Sequence, residues 1–250
     1  MNREDQASIL RKNLDKVEER ILSSCLKAAR KRSEVTLVGV TKTVDSALAS
    51  LLLENGITNL GESRPQELWE KAAHIPTAHW HFIGHMQRNK IDKTLPLVHL
   101  FHSVDSMRLL EALEECCLKL NKPLDFLLEV NISGEENKQG FKPAEIPALA
   151  PLLNSLRQLR CKGLMGMAEN FDDRELCRPA FKLLKNTRDN LSTLLGTPLP
   201  ELSMGMSNDF EIAIEEGATV VRVGQAIFGA RHTPDDYHWP NYNHSKETLL

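Results

Sequence analysis

The stretch "VTLVGVTKTV", Val35 to Val44, is a short apolar, β-branched run that ends on a lysine. Residues 35–40 read as a buried strand, and Lys42 follows Val40 by two residues, so an ammonium group stands at the end of a core strand. The same stretch weighs against an open, doubly wound nucleotide-binding sheet. Such a sheet would carry G-x-G-x-x-G after its first strand, and "GVTKTV" has no glycine cradle.

Further along, short apolar runs alternate with longer segments of helical period. Strands are predicted at "VTLVGV" (35–40), "ITNLG" (57–61), "WHFIG" (80–84), "LVHLFHSV" (97–104), "DFLLEVN" (125–131), "CKGLMGM" (161–167), "ELSMGM" (201–206) and "VVRVG" (220–224). Helices are expected between them, over Asp45–Asn55 closed by Gly56, Ser106–Leu120 and Pro143–Leu159. Asn208 with Glu211 reads as a capping box for a helix running to Gly217. Ahead of the first strand, Leu10, Leu14, Val17, Ile21, Cys25 and Leu26 recur with helical period and predict an amphipathic lead-in helix over 5–30. Eight β-then-α units in about 200 residues predict a single (β/α)8 TIM barrel, an α/β fold, over residues 1–231. Residues 232–250 lose periodicity and read as a tail.

The bulk numbers fit one such domain: 250 residues, 41% hydrophobic, 26% charged, net charge -3. No basic stripe marks a nucleic-acid binder; "RKR" (Arg30 to Arg32) reads as a solvated helix end. The five cysteines are odd in number, irregular in spacing and without C-x-x-C, which argues against a disulfide framework or a thiolate zinc site. No apolar run approaches a membrane span and no targeting signal opens the chain. The expected location is the cytoplasm, with no nucleic-acid or membrane partner.

Barrels of this kind collect function at the C-terminal ends of their strands. Those ends are Thr41-Lys42, Gly61-Glu62-Ser63, Gly84-His85, Ser103, Asn131, Met165-Gly166, Gly205-Met206-Ser207 and Gly224. Ser207-Asn208 and Gly224-Gln225 open helices after strands 7 and 8, where free N–H groups suit a phosphate; helix capping alone would also account for Ser207 and Asn208. A lysine partly desolvated beyond Val40 would have more free amine, able to form a Schiff base with a carbonyl. A phosphate site across the mouth from such a lysine makes pyridoxal 5′-phosphate (PLP) the economical ligand. Arg222 alternates with Val221 and Val223. Turned inward it could hydrogen-bond a pyridine nitrogen; a salt bridge to a neighbouring strand is the other reading.

"VGVTKTV", "WHFIGHMQRNK", "VNISGEENKQGF", "GLMGMAE" and "ELSMGMSNDFEIAIEEGATVVRVGQAIFGAR" resemble the pyridoxal phosphate homeostasis proteins, in order and over roughly residues 35 to 231. The resemblance implies a fold type III barrel, shared with the alanine racemase N-terminal domain, and a Schiff base on Lys42. It implies phosphate contacts at Ser207, Gly224 and the backbone of Gln225, and a pyridine-nitrogen contact at Arg222. Ser63, His81 and Met165 are expected near the cofactor. The family's G-E-N is Gly61-Glu62-Ser63 here, its V-G-T is Val223-Gly224-Gln225, and a proline-like position is His85. Members resemble carriers or regulators of vitamin B6 pools, so the expected partners are PLP and PLP-dependent apo-enzymes, the expected state is a monomer, and no catalytic residue is assigned.

Two rivals come from other classes. An amino-acid racemase needs a second acid/base across from the lysine. The only tyrosines, Tyr237 and Tyr242, lie in the tail, and too few residues follow Arg231 for a second domain. A metal-dependent hydrolase could use His79, His81, His85, His99 and His102, but no further ligands stand out and no metal is expected; His81 reads as a packed or hydrogen-bonded side chain. Glu62 and Glu129 read as solvated or salt-bridged carboxylates. Lys138, in "SGEENKQG", is a second place where an aldehyde could add.

Overall fold

The computed structural model describes residues 3–135 and 138–229; the tail from residue 232, with Tyr237 and Tyr242, lies outside them. Eight parallel strands are hydrogen-bonded in sequence order and closed on themselves: β1 Thr36–Val40, β2 Asn59–Glu62, β3 His79–Phe82, β4 Val98–Val104, β5 Leu124–Val130, β6 Leu159–Gly166, β7 Glu201–Ser203 and β8 Val220–Val223. The seam pairs Val38 with Arg222 and Gly39 with Val223. The helices are α1 Arg3–Lys27, α2 Ser46–Glu54, α3 Pro65–His74, α4 Ile91–Thr94, α5 Met107–Leu120, α6 Ala150–Ser155, α7 Arg178–Leu195, α8 Phe210–Glu215 and α9 Gln225–Phe228. All eight predicted strands are present, and the fold is the (β/α)8 barrel with a lead-in helix.

Strand parity decides what faces the axis. A Cβ added at Gly39 would meet Leu52 and Ile57 on the helix side, whereas one at Gly61 would meet Val38, Val40 and Ile83. Val38, Val40 and Gly61 therefore face inward, and Arg222, in register with Val38, does too, while Val221 and Val223 join the larger core under the helices. That outer core buries Phe82, Phe101, Phe126, Phe181 and Phe210. A smaller inner layer packs Leu100, Leu127 and Met165 against Met167.

Four local expectations need correction. The predicted helix over Pro143–Leu159 is a 3₁₀ segment, Pro143–Leu149, followed by α6, and Leu159 already opens β6. Pro147 and Pro151 remove the amide donors that a continuous helix needs. The capping box of Asn208 and Glu211 does not form: Asp209 precedes α8 and accepts the Met206 N–H at 2.6 Å, while Glu211 Oε1 accepts from Arg20 Nε at 2.6 Å. In α1, Leu10, Leu14, Val17, Ile21 and Cys25 are buried, but Leu26 is 82% exposed, one residue further round the helix from Cys25. The "RKR" end is not simply solvated. Arg30 Nη1 donates to Ile214 O at 2.9 Å and Ala218 O at 2.8 Å, and Arg32 pairs with Glu18.

Helix α1 also braces the end of the barrel where β7 and β8 finish. Arg20 lies over the Phe210 ring, 4.3 Å from its centre, and its Nη2 donates to Ser207 O at 3.1 Å. Asn13 Nδ2 donates to Ile227 O at 2.9 Å, at the end of α9. The lead-in helix thus fixes both loops expected to meet an anion.

Candidate functional site

Lys42 leaves β1 half-buried, directly after a fully buried Thr41. Thr41 N donates to Gly61 O at 3.0 Å and its hydroxyl to Glu62 Oε1 at 2.5 Å, which ties the exits of β1 and β2 together. On the other side of Lys42, β8 ends against β1. A Cβ at Gly224 would lie 3.1 Å from Val40 O and 3.3 Å from Val40 Cβ, so the chain at Gly224 passes beside the strand that carries the lysine, closely enough that a side chain there would crowd Val40.

Ser207 does not cap its own helix. Its Oγ accepts the Ala226 N–H at 3.1 Å, which joins the loop after β7 to the first turn of α9. The N–H groups of Gly224 and Gln225 open that turn and, as first-turn donors, have no intrahelical acceptor. The Gln225 side chain is exposed. Ser63, half-buried, ends β2 and lies so close to the exit of β3 that a Cβ at Gly84 would fall 2.1 Å from Ser63 O. Met165 belongs to the inner layer, and the next residue, Gly166, supplies the carbonyl that accepts from Arg222 Nη2 at 3.2 Å.

Below the mouth a buried polar relay crosses the barrel. Arg222 Nη1 donates to Ser203 Oγ at 2.6 Å; Ser203 Oγ is 2.9 Å from His102 Nδ1; His102 Nε2 is 2.8 Å from His81 Nδ1; His81 Nε2 is 3.0 Å from Asn59 Oδ1. An arginine only donates and a carboxamide oxygen only accepts, so with neutral rings the direction of every link follows from the Asn59 end. Ser203 donates its hydroxyl hydrogen to His102 Nδ1, and both imidazoles carry hydrogen on Nε2. Both rings are neutral in this arrangement. Burial is the main cause that pushes His81 down to about 3 and His102 well below the ordinary range. With both ring nitrogens taken, His81 reaches the mouth only through His102 and Ser203. Ser203→Ala should leave His102 Nδ1 and Arg222 Nη1 each short of a partner in a dry site, at a cost of about 1–3 kcal/mol. The check is a lower denaturant midpoint at an unchanged denaturant slope.

Arg222 is 4% exposed. Burial pushes its pKa down to about 10, against the opposing pull of Asp209 and Glu129, and it remains a cation at neutral pH. Glu129 is neither solvated nor salt-bridged among the described residues, contrary to expectation. It is 3% exposed, and burial first, then the Asp105 charge, push it up to about 7 against the pull of Arg222. Its position on the inner face of β5 removes it from water. Glu62, also buried, is salt-bridged: Lys71 Nζ lies 2.6 Å from its Oε1. Burial nevertheless raises its pKa.

His85 faces Asp105 at 3.1 Å, and Lys138 pairs with Glu135. His79 stacks on His99, 4.8 Å between ring centres. Among the described residues no group of histidine, cysteine, aspartate and glutamate is arranged to hold a metal ion, and no helix is long and apolar enough to cross a membrane. Asn59, Ser203, Glu67 and Lys71 escaped the sequence reading as site residues, and His102 entered it only as a candidate metal ligand. Lys71 carried a signal: it falls on the apolar stripe of α3 with Leu68, Ala72 and Ile75, where an unpaired cation would be costly.

Residues 13–232 match the family model described as alanine racemase, N-terminal domain. The pyridoxal phosphate homeostasis protein of Aquifex aeolicus is 38% identical over 220 residues, 87% of this chain and 96% of that protein. Among solved structures, PipY of Synechococcus elongatus PCC7942, with PLP bound, is 32% identical, with a TM-score of 0.74 over 85% of this chain and all of that one. An alanine racemase of Clostridium difficile 630 shares the fold at 17% identity, TM-score 0.67, with 91% of this chain covering 57% of that chain. On the matched span, the identity to full-length relatives and the closed barrel with a lysine at the exit of β1, the chain belongs to the pyridoxal phosphate homeostasis protein family.

Proposed function

We propose that this chain holds PLP in the C-terminal mouth of the barrel, with Lys42 as the amine that takes the aldehyde, and serves vitamin B6 homeostasis as a carrier. The observation that carries this is the seam: Lys42 leaves β1, and Gly224 leaves β8 in van der Waals reach of Val40, with Arg222 fixed inside between them. The residues suit the group. A Cβ would fill the passage at Gly224, the first turn of α9 offers donors, and a buried cation stands where a ring nitrogen could accept from it.

When bound, PLP would supply an aldehyde able to condense with a free amine. Lys42 would provide the amine. Ser207 and the N–H groups of Gly224 and Gln225 would take the phosphate, and Arg222 would donate to the pyridine nitrogen and keep a proton off it. That choice of partner limits the ring as an electron sink and favours holding over carbanion chemistry. Ser63 and Met165 would line the cofactor, while His81 would act through His102 and Ser203 by fixing Arg222.

Relatives are named for homeostasis rather than for a reaction, and the two tyrosines in the sequence, the residue type a racemase would use as its second base, lie beyond the described barrel. These support a carrier that delivers PLP to apo-enzymes over a racemase. All proposed contacts come from one chain, which fits a monomer, and the unpaired cysteines fit the reducing cytoplasm. The test is an absorbance titration with PLP followed by borohydride and peptide mapping. The expected result is a yellow complex whose label maps to Lys42; a colourless protein, or a label confined to Lys138, would sink the proposal.

A further inference from the structure

The tripeptide that carries Lys42 is held from both sides by side chains of β2 and α3. Lys71 is 3% exposed, and its Nζ donates to Thr41 O at 2.7 Å and to Glu62 Oε1 at 2.6 Å. Glu62 Oε1 also accepts the Thr41 hydroxyl. On the far side of Lys42, Thr43 N donates to Glu67 Oε2 at 3.0 Å, and the same oxygen lies 3.4 Å from Lys71 Nζ. Thr43 has φ +67°, the left-handed region, which a β-branched residue rarely adopts and which persists only where the surroundings enforce it. Glu67 and Lys71 stand one turn apart on α3, so a single helix face grips the carbonyl before Lys42 and the amide after it.

We propose that Glu67, Lys71 and Glu62 are positioning residues, a clamp on the peptide groups flanking Lys42 that sets where its amine meets an aldehyde. This rests on the reading of Lys42 as the amine that takes PLP. The ion pair has a geometric duty here beyond burial. Lys71 distributes its three N–H bonds over Thr41 O, Glu62 and Glu67, so the carbonyl of the Thr41–Lys42 peptide and the Thr43 amide are referenced to one cation. A swing of the Lys42 main chain would break both contacts. Lys71 and Glu62 are too deeply buried to remove cleanly, but Glu67 is partly exposed, with 24% of its side chain accessible, and can be changed without opening the core.

The experiment compares wild type, Glu67→Ala and Glu67→Gln in two readouts. The first is binding of PLP and of pyridoxine 5′-phosphate, which carries an alcohol in place of the aldehyde and cannot condense. The second is hydrogen exchange of the Thr43 amide in ligand-free protein. The clamp requires that Glu67→Ala weaken PLP binding about 10-fold, leave the alcohol unchanged and speed Thr43 exchange, with Glu67→Gln, which keeps an acceptor oxygen, close to wild type. Equal weakening of both ligands, or no weakening of either, overturns it. If borohydride fixes no PLP on Lys42 of the wild type, the functional reading has failed instead, and the clamp then stands or falls on Thr43 exchange: faster in Glu67→Ala alone supports it, unchanged overturns it.

Discussion

Lys42→Ala protein should still fold, yet carry no PLP that borohydride can fix. The side chain is half-buried and the groups that organise its surroundings belong to other residues: Thr41 bonds to Gly61 and Glu62, and Thr43 to Glu67. Truncation at Cβ leaves those bonds in place, so the frame around position 42 is kept. What disappears is the amine. The proposed phosphate donors and Arg222 remain, so weak binding should persist, with half-saturation raised about 100-fold, or about 3 kcal/mol. Equilibrium dialysis gives the affinity and absorbance the colour. A variant that stays fully yellow, with its label on Lys138, would move the site to the loop after β5.

The second large effect is on the ligand-free barrel and its pH dependence. Glu129 has a folded pKa of about 7 against an ordinary value of 4.5. A raised acid means that the folded chain binds more protons than the unfolded one between those values. Stability is therefore fully present below about pH 4.5 and is lost as the pH rises through about 7, by at most roughly 3 kcal/mol. Glu129→Gln keeps the shape and cannot ionise. It should raise the melting temperature near pH 8 by roughly 6–12 °C, from about 2–4 °C per kcal/mol for a chain of this size, and by far less near pH 5. Melts of both proteins at the two pH values decide it; an equal shift at both would mean that the carboxyl does not titrate in this range.

The barrel was legible because its strands are buried on both faces. They read as continuous apolar runs, and eight of them at regular intervals leave few architectures. Helix limits were less legible where long-range partners decide them. Glu211 three residues after Asn208 looks like a local cap, but Arg20, far away in sequence, takes its carboxylate. The orientation of Arg222 was open in the sequence, because an arginine between two valines fits either face; the parity of Gly39 and Gly61 across the seam fixes it. The relay was hidden for the same reason. Asn59, His81, His102 and Ser203 come from β2, β3, β4 and β7 and meet only when the sheet closes. Lys42, Gly224 and Ser207 could be picked out beforehand because each punctuates the end of an apolar strand.

The pairing of β1 with β8 bears on biosynthesis. One side of the seam is made from the earliest barrel strand to leave the ribosome and the other from the latest. A nascent or truncated chain that stops short of Val220 lacks Arg222, Gly224 and Gln225, so on the proposed reading its lysine stands without the donors that would hold a phosphate ester. On that reading, binding of PLP would report that translation has passed the last strand and that the cylinder has shut.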